Sequence, residues 1–187
     1  MIIKLKTPQY IFMLLTLFIL LSTARCAGKN ALVTNTGTPG IYNKAGVYFE
    51  YPATWNVTED YMASDARVIY IETPGSAILF IYILSEKNSS RLTQFARKFA
   101  ISIRSSDSDS LIGESTFGSP EKQDPYEVLT ERFLVTFLKK RIAYQRVYRR
   151  RVFHEYACTL IAQYALENRY NLEKKFNVIS STFRYSE

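Results

Sequence analysis

Residues 77–84, Ala-Ile-Leu-Phe-Ile-Tyr-Ile-Leu, leave this chain the least freedom. Isoleucine and the aromatic residues favour a pleated backbone. A strand that is apolar on both faces must be covered on each side, so this run reads as a central strand between two layers. Thr73-Pro74-Gly75-Ser76 separates it from a second β-rich run, residues 67–72. Pro followed by Gly suits the central positions of a type II turn, with Gly75 at positive φ. The two runs therefore predict an antiparallel hairpin.

Upstream, Gly46-Val-Tyr-Phe-Glu-Tyr51 alternates Val47, Phe49 and Tyr51 with Tyr48 and Glu50, the period of a half-buried strand. Pro52 ends it, having no N–H to give a ladder. Trp55, the single tryptophan, is expected to fold back as a lid on the core. Residues 56–58 continue as a short strand or turn.

Downstream, Asn88-Ser89-Ser90 offers N-cap residues for a helix. Its apolar stripe is Leu92, Phe95, Ala96, Phe99 and Ile103. A polar loop at 105–110, a weaker strand at 111–117 and a loop at 118–125 follow. Residues 128–138, 142–148 and 152–166 read as a meander of strands, separated by Lys139-Lys140-Arg141 and Arg149-Arg150-Arg151. A last helix starts at Asn168 or Asn171, with Leu172, Phe176, Ile179 and Phe183 on one stripe. The expected class is α+β: an antiparallel sheet with helices packed on its faces.

The amino terminus reads as an address. Lys4 and Lys6 precede an apolar run over residues 10–21, and Ser22-Thr23-Ala24 supplies small residues for cleavage. This is the pattern of a secretory signal peptide over residues 1–24, or of an uncleaved anchor, since 18 uncharged residues run from Thr7 to Ala24. Arg25 before Cys26 departs from a lipobox. Residues 25–45 read as a linker, ordered only where it docks, and residues 46–187 as the folded domain. An exported chain would meet oxidising conditions, so a Cys26–Cys158 disulfide stands beside the alternative of a free, buried Cys158. Asn56-Val-Thr58 and Asn88-Ser-Ser90 are sequons whose use depends on the host.

Two cysteines and one histidine leave little material for a structural zinc site or a catalytic triad. No cofactor is expected. An envelope hydrolase would need His154 together with the acidic cluster Glu121, Asp124, Glu127 and Glu131. The formal charge of +7 falls by two, to +5, if Lys4 and Lys6 leave with the signal segment. The sharpest candidate is the basic run Lys139, Lys140, Arg141, Arg146, Arg149, Arg150 and Arg151, with Tyr144 and Tyr148 among it. Cations interleaved with aromatics can bind single-stranded nucleic acid. An exported protein rarely meets that ligand, so an acidic protein face or an anionic membrane surface fits better. A charged strand edge that resists aggregation is the competing account.

Phe49-Glu-Tyr51-Pro52-Ala-Thr-Trp55-Asn-Val57 and Phe176-Asn-Val-Ile179-Ser-Ser-Thr182-Phe183-Arg184 resemble the opening and closing motifs of the PsbP-like superfamily. Thr182 stands where that pattern has serine. The superfamily includes an extrinsic protein of photosystem II, a Ran-binding import factor, DcrB envelope lipoproteins and the EagR secretion chaperones. The resemblance implies a protein-binding module without a shared active site. It transfers no binding residue, because the matched positions are core and turn positions. The expectation is an exported, non-catalytic module that binds a protein partner in the cell envelope or the membrane surface, with an envelope hydrolase and an immunity or inhibitor protein as alternatives.

Overall fold

The computed structural model describes residues 37–75, 77–106, 112–137 and 139–186. The expected signal segment, Cys26 and most of the 105–110 loop lie outside them. The elements run β1 (Gly40–Lys44), β2 (Val47–Tyr51), β3 (Asn56–Ala63), β4 (Ala66–Glu72), β5 (Ile78–Ser85), α1 (Leu92–Ser106), β6 (Thr116–Phe117), β7 (Glu121–Gln123), β8 (Tyr126–Phe137), β9 (Lys140–Phe153), β10 (Tyr156–Ala165), α2 (Arg169–Thr182) and β11 (Arg184–Tyr185).

Among the described residues, the larger sheet has the order β3-β4-β5-β10-β9-β8-β6, with β7 also on β8, and a smaller sheet has the order β1-β2-β11. All pairings in both are antiparallel. The central position expected for residues 77–84 follows from chemistry. Phe80 faces the layer made by Leu92, Ala96 and Phe99 of α1. Leu79, Ile81 and Ile83 face the opposite layer, made by Val47, Phe49, Phe176, Ile179 and Phe183. Each predicted helical stripe thus lands on its own side of the sheet.

Trp55 is buried in the second of these layers, delivered there by a tight turn in which its N–H donates to the Pro52 carbonyl at 2.8 Å. The two resembling motifs meet in space. The Phe49 and Phe183 rings stack at 6.4 Å, the Glu50 N–H donates to the Thr182 hydroxyl at 2.9 Å, and Tyr48 pairs with Arg184. Gly75 has φ +93°, as the predicted turn requires. At Gly40, a Cβ would come within 2.3 Å of the Tyr51 ring that lies across it.

Several local expectations are corrected. Arg149-Arg150-Arg151 does not separate strands; it lies inside the 14-residue β9. The turn falls at His154-Glu155, where His154 takes φ +50°. Pairing with β8 and β10 on both sides holds the arginines extended, so tertiary ladders override the charge pattern. Residues 40–44, read as the end of a linker, form β1 against β2. Residues 56–58 are the start of an eight-residue strand. Of residues 111–117 only Thr116–Phe117 is strand, and residues 121–123 within the expected loop form β7.

The pattern of β3 was obscured because an acid sits at a partly buried position. Asp60 accepts from Arg67 Nε at 2.8 Å and from the Tyr42 hydroxyl at 2.7 Å, and pairs with Lys44 at 2.9 Å. Arg67 also donates to the Lys44 and Ala45 carbonyls. This clasp ties the small sheet to the large one. Hydrogen bonding from Arg67 holds the Asp60 carboxyl well below its usual range. A depressed folded pKa adds stability that is complete above the unfolded value of about 3.9 and is lost as pH falls through the folded one. Asp60→Asn is therefore expected to lower unfolding free energy at pH 7 by about 1–3 kcal/mol. Urea titrations should show the gap to wild type closing below about pH 4. A gap that is constant with pH would show that the carboxylate charge is not what the clasp uses.

Candidate functional site

The basic run occupies β9, and strand geometry disperses it. Successive residues face opposite sides at about 3.3 Å of rise, so Lys140 and Arg150 lie roughly 33 Å apart along the strand. The structure does not bring the nine candidate residues into one surface.

One set faces α1. Arg146 and Tyr148, both among the candidate binding residues, are buried there. Arg146 Nη1 donates to both Glu131 oxygens at 3.0 and 3.1 Å, and both side chains are almost fully buried. Its Nε donates to Gln163, and its guanidinium lies 4.3 Å over the Phe133 ring. Tyr148 and Ser115 donate their hydroxyls to Glu131. Burial pushes the Tyr148 hydroxyl far up, so it remains a donor at physiological pH. Tyr144, half-buried, stacks on Phe133 at 5.8 Å. Arg150 donates to the Ser89 hydroxyl at 2.8 Å and lies 4.0 Å from Glu127.

A second set faces α2 and the small sheet. Arg149 lies 4.5 Å over the Phe176 ring and donates to the Ser180 hydroxyl. Arg151 lies 4.4 Å over the Phe153 ring. The Arg149 contacts tie β9 to α2, whereas the Arg151 contact lies within β9 itself.

The third set is the β8–β9 turn. Lys139, Lys140 and Arg141 are exposed, and no ion pair engages them among the described residues. Lys139 takes φ +64°, a conformation that glycine or asparagine adopts at lower cost.

The residues considered for hydrolysis are spread in the same way. His154 is exposed at the β9–β10 turn. Glu131 is held by Arg146, eight residues back along β9, or roughly 26 Å by strand rise. Glu127 stands opposite Arg150. General-base work needs hydrogen-bond reach, which neither glutamate has to His154. Among the described residues no group of three or more His, Cys, Asp or Glu is placed to hold a metal. Cys158 is fully buried, and burial pushes its thiol up to about 12, which makes it inert; Cys26 lies outside the described residues.

No family model matches this chain, and no curated protein matches it. Among solved structures it is similar to cyanobacterial PsbP (CyanoP) from Synechocystis sp. PCC 6803, with a TM-score of 0.54 and 14% identity over 85% of this chain and 100% of that one. The chain has a PsbP-like fold. It is also similar to LpqN, a protein involved in cell envelope biogenesis in Mycobacterium tuberculosis, with a TM-score of 0.40 and 11% identity over 83% of this chain and 88% of that one. At such identity the likeness to PsbP is one of backbone, and it carries the fold expected from the motifs at 49–57 and 176–184. It assigns no partner, since one fold hosts many functions. No helix among the described residues is long and apolar enough to cross a membrane.

Proposed function

We propose that this PsbP-like domain is a non-catalytic, exported binding module that recognises an acidic face of a protein partner in the cell envelope. The observation that carries the reading is the division of labour along the basic run. Arg146, Arg149, Arg150 and Arg151 are engaged within the domain, whereas Lys139, Lys140 and Arg141 stand exposed at a turn, without an ion pair among the described residues. Exposed charges contribute little to folding, so their clustering at one tip serves recognition. Such a tip speeds encounter with an opposite charge and selects against basic surfaces. Export rests on the signal pattern of residues 1–24, and the absence of a shared active site in the resembling superfamily favours binding over catalysis.

The test compares wild type with a Lys139→Glu/Lys140→Glu/Arg141→Glu variant in the native host, crosslinked and recovered from the envelope fraction. Loss of three complementary contacts should weaken partner capture by about tenfold or more, with stronger capture at low salt. Folding stability should stay within about 0.5 kcal/mol, because the residues are exposed. Recovered chains should begin at Arg25. Equal capture by both chains would sink the assignment. Sedimentation of wild type, and not of the variant, with phosphatidylglycerol vesicles in place of protein capture would move the target to the membrane.

A further inference from the structure

Strand β9 carries a buried guanidinium on one face and a partly buried one on the other, and the second has no carboxylate paired with it among the described residues. On the α1 side Arg146 is paired with Glu131. On the opposite side, desolvation lowers the pKa of Arg149, and no ion pair engages it among the described residues. Its partners are a ring face and one hydroxyl, and its Nε is buried with no hydrogen-bond partner. Glu173 is the acid whose charge it senses, but that carboxylate is engaged by Arg169 at 2.8 Å and Tyr164 at 3.1 Å. A partly buried cation without a counter-charge is costly.

Arg149 lines a cleft of about 610 Å³. Its floor is β8 and β9, continued by β6 and β7, which pair with β8, and α2 lines it as well. Volumes of this order suit a small organic molecule. Gln145, 2% exposed, lies on the floor. Tyr164 donates its hydroxyl to Glu173, so it accepts from Gln145 Nε2 at 3.0 Å. That fixes the amide and leaves Gln145 Oε1 buried with no donor. Arg132, exposed and level with Gln145 in the β8–β9 register, adds a second cation without an ion pair among the described residues, and the third, Arg169, is paired with Glu173. One orphan donor and one orphan acceptor therefore line a cleft in which three arginines, Arg132, Arg149 and Arg169, outnumber two carboxylates, Glu121 and Glu173.

We propose that this cleft binds a small oxyanion-bearing molecule, a phosphate ester or hydroxy-carboxylate, with its anionic group at Arg149, a hydroxyl at the opposite end of the molecule directed toward Gln145, four residues away on the same face of β9, and Arg132 drawing it in from the rim. The site is separate from the Lys139–Arg141 tip and does not depend on it. Orphaned polar atoms gain a partner on binding, and the partly buried guanidinium gains its missing charge.

The test is NMR of the arginine Nε–Hε signals of the full chain, titrated with inorganic phosphate, sn-glycerol 3-phosphate and malate against sodium chloride of equal ionic strength. The expected result is a saturable shift of the Arg149 signal. The hydroxyl-bearing probes should bind about tenfold more tightly than inorganic phosphate, the share of one buried hydrogen bond. Arg132→Gln, at an exposed rim position that does not risk the fold, should weaken binding about two- to fivefold. Arg149→Lys, followed through the Arg132 signal, should weaken binding of all three probes about tenfold, with its folding checked by its urea midpoint. Tighter binding of inorganic phosphate than of either organic probe would make free phosphate the ligand, with the anion site standing and the Gln145 contact overturned. A cleft filled by water alone would give no saturable shift, or the same drift with chloride, and either overturns the proposal.

Discussion

Replacing Arg146 by alanine is expected to cost the domain about 3–5 kcal/mol, more than any change at its surface. The substitution leaves Glu131, which is 0% exposed, with the hydroxyls of Ser115 and Tyr148 as its remaining partners. A buried carboxylate is far less stable without its cation than the pair is stabilising, so the penalty comes from the charge left behind. The stacking of the guanidinium on Phe133 is lost as well. Urea unfolding followed by fluorescence should show a large fall in midpoint with little change in slope. The diagnostic companion is Glu131→Gln with Arg146→Met. It removes both charges and keeps an acceptor for the two hydroxyls. It should recover half or more of the loss, because paired removal of buried charges is often close to neutral. A double variant as unstable as the single one would mean that packing, and not charge, explains the effect.

Phe49→Ala should be comparably severe, at about 3–5 kcal/mol. Phe49 is fully buried and stacks on Tyr42 at 4.8 Å, with Tyr51 and Phe183 also around it. It is the residue through which β2 receives the end of α2, so its loss opens a cavity between the small sheet and the helix. Thermal unfolding would read the effect, and Phe49→Leu, which fills part of the volume, should fall between alanine and wild type. A cost below about 1 kcal/mol would show that the site collapses around the gap and that the motif is not what seats the helix. Both this residue and Arg146 act on stability, whereas changes at Lys139–Arg141 are expected to act on recognition alone.

The core was largely legible from residue spacing. Leu92, Phe95, Ala96, Phe99 and Ile103 all pack where their helical period places them, and Leu172, Phe176, Ile179 and Phe183 do the same on the other face. Apolar periodicity is reliable because burial selects it directly. Elements whose partners are distant in sequence were not legible. β11 is two residues long and exists because β2, far upstream, offers an edge. β3 carries Glu59 and Asp60 in mid-strand, and only the approach of Arg67, Tyr42 and Lys44 makes that placement stable. The arginine triplet reads locally as a break, yet cross-strand pairing keeps it extended.

The candidate site divides along the same line. The sequence shows seven cations close together, and linear proximity suggested one patch. In a strand, neighbours point to opposite faces and ten residues span roughly 33 Å, so proximity in sequence becomes separation in space. The cleft has the reverse history. Arg132, Gln145, Arg149 and Glu173 come from three elements and share no spacing that a pattern could reveal.

What the sequence determined by itself is the class: a sheet with a doubly covered central strand, a helix for each face, and the motif ends that belong to a PsbP-like fold. Those features are written in local periodicity and in turn residues, and each is enforced by burial of its own side chains. Which arginines are structural, which are exposed, and that Arg149 has no carboxylate paired with it among the described residues was decided only by the tertiary structure. A charge's role depends on the dielectric around it and on the partner opposite it, and both are supplied by chain segments far away in sequence.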